Sequence, residues 1–355
     1  MITFLLTFIF ISLLILAHEF GHFFSALFFK IKVEEFGFGF PPKIFSRMHG
    51  GIRYSINWLP FGGFVKIFGE QGEGEGHTDS FISRAPWQRF IVLFAGIAMN
   101  FFLAWIFFST SAYLGVPQIA EVGDSTPVSI VEIAGESPAE QAGLRFGDAI
   151  LELRRNGGLN IRVQTEKDVQ DFLQAYRGEE ITIIIRRNGD VLEKSLTPRA
   201  NPPPGQGAIG IAMDRVKTVS VAWYRAPVEG FYSLIDTTVL TVQGFGMMIK
   251  ELAVRHQAPP GIAGPVGIFL VAQDTRSLGF TYFLRFIGIL SVNLAILNFL
   301  PIPALDGGRI FFLLIEKIRG KRISGHTEAM AHMVGFFVLI TLMVLVTYHD
   351  IVKFF

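Results

Sequence analysis

Two histidines, a glutamate and a distant aspartate carry the chemistry available to this sequence. In ILAHEFGHFF (residues 15–24), His18 and His22 stand four residues apart. On a helix that is about 40° of rotation, so both imidazoles leave from one face. Glu19 sits on the flank of that face, near enough to touch a water on a metal held by both rings. This is the H-E-x-x-H arrangement: two neutral nitrogen ligands, and a carboxylate that does not ligate but takes the water's proton. A zinc ion lowers the pKa of its bound water from about 15.7 to about 7. Gly21 keeps the adjoining surface free of side-chain bulk. The competing reading is a pair of helix histidines satisfied by hydrogen bonds. Ionisable groups inside a membrane span usually mark function, and three within five residues favour the metal.

A catalytic zinc takes three protein ligands and keeps one position open. Zero cysteines exclude thiolates, so the third ligand must be a carboxylate or another histidine. In ILNFLPIPALDGGRIFF (residues 296–312) an apolar run is broken by Pro301 and Pro303 before Asp306. Unwound backbone at membrane depth is tolerated where it lines a cavity, and Asp306 is the expected third ligand. Its alternative role is to cap the helix that begins at Gly307. Asp236, Asp274, Glu316 and Asp350 are weaker candidates. Asn298, just before the break, could donate to a tetrahedral oxyanion or hold a substrate carbonyl; a helix–helix hydrogen bond is the plain alternative. His77 and Asp79, in the acidic, glycine-rich EQGEGEGHTD, read as a solvated connector rather than a metal site.

These residues need elements to hold them. Half of the 355 residues are hydrophobic, 37 are phenylalanine and only 17% are charged, with a mean hydropathy of +0.45. The apolar residues come in blocks. Ile2–Phe29, Phe90–Leu114, Tyr282–Leu300 and Met330–Tyr348 are each near or above the roughly 20 residues that span a bilayer as a helix. The first lacks a basic leader and a small-residue cleavage site, and reads as a retained span. A net charge of +1 argues against nucleic acid as a partner. Lys30, Lys32, Lys43, Arg47, Arg53, Lys66, Arg84 and Arg89 lie between spans one and two; Arg309, Lys317, Arg319, Lys321 and Arg322 lie between spans three and four. Excess basic residues stay on the cytoplasmic side. Both termini and the long segment after span two are therefore expected outside, with the His18 region toward the cytoplasm.

Between the spans the composition changes. Turn-rich GFGFPP precedes IRYSINWLPFGGFVKIFG, whose β-formers around Pro60 and Gly62-Gly63 predict an unusually apolar hairpin or meander. From about Val122 to Pro198 the chain reads as soluble: a short helix after Ser137-Pro138, a strand, the amphipathic QTEKDVQDFLQAYRG, and a hairpin turning at Asn188-Gly189. NPPPGQG is a stiff linker, and residues 219–252 suggest helices lying along the membrane surface.

HEFGH in the first span, GFGF after it, WLPFGGFVKIFGE, AGIAMNFFLAW in the second span and NFLPIPALDGG after the third together resemble the site-2 protease family of intramembrane zinc metalloproteases. The RseP-type bacterial branch, whose members cleave single-span anti-sigma factors and remnant signal peptides, is the more similar one. SPAEQAGLRFGDAIL looks like part of a PDZ domain. GIAGPVGIF (residues 261–269) and TYHDIVKFF also fit, and the resemblance covers nearly the whole chain.

The resemblance implies an α-helical polytopic protein of the bacterial cytoplasmic (inner) membrane. It would have four transmembrane helices, a membrane-associated β-region and an inserted α+β PDZ domain. It implies regulated intramembrane proteolysis, with zinc held by His18, His22 and Asp306, Glu19 as base, and Asn298 binding substrate or transition state. Gly37, Phe38, Gly39, Gly62, Gly63 and Pro301 would join Asn298 in binding substrate. The expected partners are single-span membrane substrates, the lipid bilayer and a peptide ligand of the PDZ domain.

The expected boundaries are 1–29 for span one, 30–89 for the cytoplasmic β-region and 90–114 for span two. The PDZ domain follows at 115–200, linker and surface helices at 201–280, and span three with its break at 281–308. A loop at 309–329 leads to span four and the C-terminus at 330–355. Some relatives carry two PDZ domains in tandem, whereas there is room here for one. The rival readings are a non-proteolytic PDZ membrane adaptor with a vestigial or structural metal site and, further off, a transporter with an intramembrane proton relay.

Overall fold

A computed structural model of the chain describes residues 2–70, 72, 74–119, 126–155, 158, 160–187, 189–203, 205–255 and 264–354. Asn188 of the expected hairpin turn, Pro204 of the linker and residues 261–263 of GIAGPVGIF lie outside them. The chain forms two compact units, one of Met1–Leu114 with Val221–Phe355 and one of Gly115–Ser220.

The first unit begins with helix α1 (Ile2–Phe28), followed by the strands β1 (Val33–His49) and β2 (Ile52–Ile67) and the helix α2 (Pro86–Leu114). Among the described residues, four helices are long and apolar enough to cross a membrane: Thr3–Phe28, Pro86–Leu114, Phe280–Phe299 and Thr327–Val352. They coincide with the four expected spans to within a few residues. Helices α1 and α2 approach unusually closely. A Cβ at Gly21 would lie 2.2 Å from the Ala95 carbonyl oxygen. That contact is open only to glycine, and small residues are what let helix backbones meet in a membrane.

The β1–β2 ribbon is longer than a simple hairpin. Phe36 stands beside Val65 on one side and Tyr54 on the other, while Phe45 to His49 pair with Ile56 to Ile52. The ribbon therefore folds back on itself, bending where Gly39 adopts φ +77°. A Cβ at Gly39 would meet the Leu59 carbonyl at 2.6 Å. Residues 63–67 are left on the edge nearest α1. Phe23, Ala26, Ile31, Val33, Phe36, Ile67, Phe81, Val92 and Leu93 form the apolar core that joins ribbon, α1 and α2.

The second unit is an antiparallel sheet with two short helices, the α+β insert expected. Its elements are β3 (Val116–Ile119), β4 (Val128–Ile133), α3 (Pro138–Gln141), β5 (Ala149–Arg155), β6 (Asn160–Arg162), α4 (Glu166–Ala175), β7 (Ile181–Arg187), β8 (Asp190–Leu196) and β9 (Ile211–Val219). Ser137 caps α3, accepting from Glu140 N, and Thr165 with Asp168 forms a capping box on α4. Buried Asp148 receives Arg187 Nε and Nη2, both at 2.7 Å, and this bidentate pair raises the Arg187 pKa. The insert runs past the expected boundary at residue 200. After the proline-rich linker, β9 returns to pair with both β3 and β4, so the sheet closes at Val219.

The chain then returns to the first unit through α5 (Ala226–Arg255), α6 (Pro265–Leu278), α7 (Phe280–Phe299), α8 (Asp306–Arg319) and α9 (Gly325–Phe354). Where surface-lying helices are expected, α5 is a single 30-residue helix packed on α2. A Cβ at Gly230 would lie 2.2 Å from Ser109 Oγ, and Trp105 Nε1 donates to the Pro227 carbonyl at 2.8 Å. Leu234 and Phe245 join Ala104, Phe108, Val292 and Ile296 in a shared apolar cluster. One side of α5 packs in this way, while Val228, Phe231, Ile235, Val239, Leu240 and Val242 leave a second apolar side exposed.

Candidate active site

His18 and His22 leave α1 from one face, as their spacing requires, and both are buried. Their Nε2 atoms lie 3.1 Å apart, and Asp306 Oδ2 stands 2.8 Å from the first and 3.2 Å from the second. Among the described residues these three form a group able to hold a metal, their donor atoms all within 4.8 Å of one another. Asp306 Oδ2 is buried yet makes no hydrogen bond of acceptable geometry. Three lone-pair donors thus converge on one point, and two nitrogens with one carboxylate oxygen form the donor set of a catalytic zinc. The residues fit the ion.

Asp306 arrives by a broken-helix route. Helix α7 ends at Phe299, and Leu300 is extended (φ −62°, ψ 143°) as the residue before Pro301 must be. Ala304 then takes φ +82°, an uncommon conformation for a residue with a Cβ, and its N–H donates to His332 Nδ1 of α9 at 2.8 Å. Helix α8 starts at Asp306, with Leu305 at its N-cap and no side-chain cap. The capping role open to Asp306 in the sequence is not the one it takes. Gly307 and Gly308 allow the first turn of α8 to fold over the break, since a Cβ at Gly307 would lie 2.2 Å from the Leu300 carbonyl and one at Gly308 2.4 Å from that of Ile302.

A cavity of about 270 Å³ opens on this group, lined by Ile15, His18, Glu19, Leu294, Asn298, Ala304, Leu305 and Asp306. Glu19 and Asn298 therefore share one space with two of the three ligand candidates. Glu19 Oε2 accepts from the main-chain N–H of Val65, on the ribbon's edge, at 3.0 Å. Gly62 and Gly63 let that edge approach α1: a Cβ at Gly62 would strike Ile15 at 2.6 Å, and one at Gly63 would lie 3.0 Å from Leu16 Cδ1 and 3.9 Å from Glu19 Cγ.

The remaining expected residues are more distant. Gly37 and Gly39 shape the ribbon's fold-back, where Asn57 Nδ2 donates to the carbonyls of Phe38 and Gly39. Phe38 lines a separate apolar groove of about 490 Å³ with Phe45 and Tyr54. Pro301 is exposed in the break. Of the weaker candidates, Glu316 pairs with Arg89 at 2.8 Å and Asp350 accepts from Gly267 N at 2.8 Å; neither joins the ligand group. The side chain of Asp274 lies outside the described part. His77 packs edge-on against Phe68.

Several contributors escape sequence reasoning. The Val92 carbonyl of α2 takes the Nδ1–H of His22 at 2.8 Å, and the Asn100 amide stands 3.2 Å from His18 Nδ1. Between them Gly96 leaves room for the rings; a Cβ there would lie 2.3 Å from His22 Nε2. AGIAMN stands out in the sequence as a small-residue run with an amide in an apolar span, and that was the available signal.

Comparison with known proteins gives a consistent result. Peptidase family M50 matches residues 6–342. The chain is 35% identical to a Clostridium perfringens protein named as a zinc metalloprotease, over 96% of each chain. It is 30% identical to the zinc metalloprotease RasP of Geobacillus kaustophilus, again over 96% of each. Among solved structures, the PDZ domain of an SdrC-like protein from Listeria monocytogenes matches 26% of this chain and 93% of its own, at 19% identity and a TM-score of 0.22.

Proposed function

The chain belongs to peptidase family M50 and is a zinc-dependent membrane metalloprotease; from that premise we propose that it hydrolyses peptide bonds within the transmembrane segments of single-span proteins, anti-sigma factors or remnant signal peptides among them. The observation that carries the proposal is the meeting of His18, His22 and Asp306 at a cavity shared with Glu19 and Asn298, built from helices of membrane-spanning length.

His18, His22 and Asp306 hold the zinc in this reading. An ion held by them would supply Lewis acidity that makes a water easier to deprotonate near neutral pH. Glu19 takes the water's proton and returns it to the leaving amine. The Val65 N–H fixes one of its carboxylate oxygens and leaves the second for the proton. Asn298 turns its amide to the developing oxyanion. The edge strand at residues 63–67 receives substrate as an added strand, replacing helix hydrogen bonds lost when the scissile segment unwinds.

The loop lysines and arginines support a cytoplasmic-membrane arrangement with both termini and the PDZ insert outside. His18 falls past the midpoint of α1, so the site would lie toward the cytoplasm, and a PDZ-type insert would take a peptide as an added strand. Co-expression with a library of tagged single-span proteins tests the function. Fragments cut within the membrane should appear with the wild type and be absent with Glu19→Gln; equal fragments from both would overturn it.

A further inference from the structure

Helix α2 supplies no ligand, yet it meets both imidazoles. Val92, Gly96 and Asn100 recur at four-residue spacing and so share one face of α2. At its first position a carbonyl accepts from His22 Nδ1, at the second a missing side chain gives the rings clearance, and at the third an amide faces His18 Nδ1. Asn100 is fully buried, and its main-chain carbonyl accepts from Ser291 Oγ of α7 at 2.7 Å. Its position is therefore fixed from both sides.

We propose that Asn100 is the positioning residue that sets the tautomer and orientation of His18, as the Val92 carbonyl does for His22. The proposal rests on the metal reading above. An imidazole that ligates through Nε2 carries its proton on Nδ1, and that proton needs an acceptor that also fixes the ring plane. The Asn100 amide nitrogen stands 3.2 Å from His18 Nδ1, while its Oδ1 is buried without a hydrogen bond. A half-turn of the amide exchanges the two atoms and brings Oδ1 to accept the ring proton. The opposite orientation donates to Nδ1 and drives the ring proton onto Nε2, aimed at Asp306 and closed to a metal. The orientation of this amide decides whether His18 can ligate. A neutral amide does this without adding a fifth ionisable group beside His18, Glu19, His22 and Asp306 in the membrane.

The test uses the full chain in lipid bilayers, comparing wild type, Asn100→Ala and Asn100→Asp. Zinc affinity is read by competition with a chelator, ligand geometry by the visible spectrum of the cobalt-loaded chain, and turnover at saturating metal. Asn100→Ala should weaken zinc binding about 10–100-fold, shift the cobalt spectrum and lower kcat with KM unchanged. Asn100→Asp, which can only accept from Nδ1, should bind zinc at least as tightly as wild type and return the spectrum. Wild-type affinity in Asn100→Ala, or an equal loss in both variants, overturns the proposal. If Asn100→Ala fails to fold, Asn100→Asp alone decides on the same criterion. Should zinc bind wild type through His18 and still ignore Asn100, only this inference fails; wild type that binds no zinc, or binds it unchanged after His18→Ala, removes the metal reading with it.

Discussion

The carboxylate of Glu19 is held by the main-chain N–H of Val65, at 3.0 Å, across 46 residues of sequence. The general-base candidate on α1 and the edge strand that would receive substrate are thus in direct contact, so seating a strand on that edge would act on the candidate base.

Replacing Glu19 by Gln keeps the side chain's shape and removes its basicity. Turnover of a purified single-span substrate should fall about 10²–10⁴-fold, while zinc content, measured by elemental analysis, stays at the wild-type level. A parallel loss of zinc would mean that Glu19 ligates instead.

Metal removal should act on stability as well as activity. A ligand present at 100 times its Kd adds about 2.7 kcal/mol to the folded state. The apo chain should therefore unfold at lower temperature and regain its melting point on adding zinc. In His18→Ala, His22→Ala and Asp306→Ala that zinc-dependent rise should vanish, as each removes one of three convergent donors. A full rise in any one of them would exclude that residue as a ligand.

Gly307→Ala should damage the site without touching a ligand. The new Cβ meets the Leu300 carbonyl at 2.2 Å, so the first turn of α8 must lift and carry Asp306 with it. Overpacking of this kind costs about 1–3 kcal/mol. The expected readout is weakened zinc binding with the insert's melting unchanged; Gly244→Ala on α5, which has open space around its Cβ position, is the control for a glycine in a helix.

Within the insert, Asp168 makes the stability of α4 depend on pH. The backbone N–H groups of Gln164 and Thr165 donate to it at 2.9 and 2.8 Å and hold its carboxyl below the usual range. A carboxyl depressed in the folded state stabilises fully above its unfolded pKa, near 3.9, and that contribution is lost as pH falls through the folded value. Protection factors of the α4 amides, with the intrinsic exchange rate divided out, should fall as pH drops below about 4, and Asp168→Asn should flatten that trend. Thr165→Ala should cost about 1 kcal/mol at neutral pH.

A chain without cysteine suits single-site labelling. If both termini lie outside as proposed, Lys167→Cys in the insert should react with an impermeant reagent added to intact cells, and Arg319→Cys after α8 should react only once the cytoplasm is opened. The reverse pattern would invert the arrangement.

How far the sequence could be read depended on whether a role was local. The spacing of His18 and His22, the prolines that end α7 and the run that follows Asp306 each declare themselves within a few residues. Four apolar blocks gave the spanning helices for the same reason. The roles of Gly96, Asn100 and Val65 arise only when α2 and the ribbon are laid against α1, and no local pattern encodes that register. β9 is not legible because its partners lie far back in the chain, beyond a proline-rich linker that reads as a boundary. The packing of α5 on α2 is not legible because an apolar helix side looks the same whether it meets lipid or another helix.

The space beside Glu19 bears on how a hydrolase works while surrounded by hydrocarbon. A cavity needs only about 10–15 Å³ of such space to hold one water, so the roughly 270 Å³ there has room for several. Water gathered there would stand beside the candidate base, so that a round of cleavage need not wait for a molecule to cross hydrocarbon.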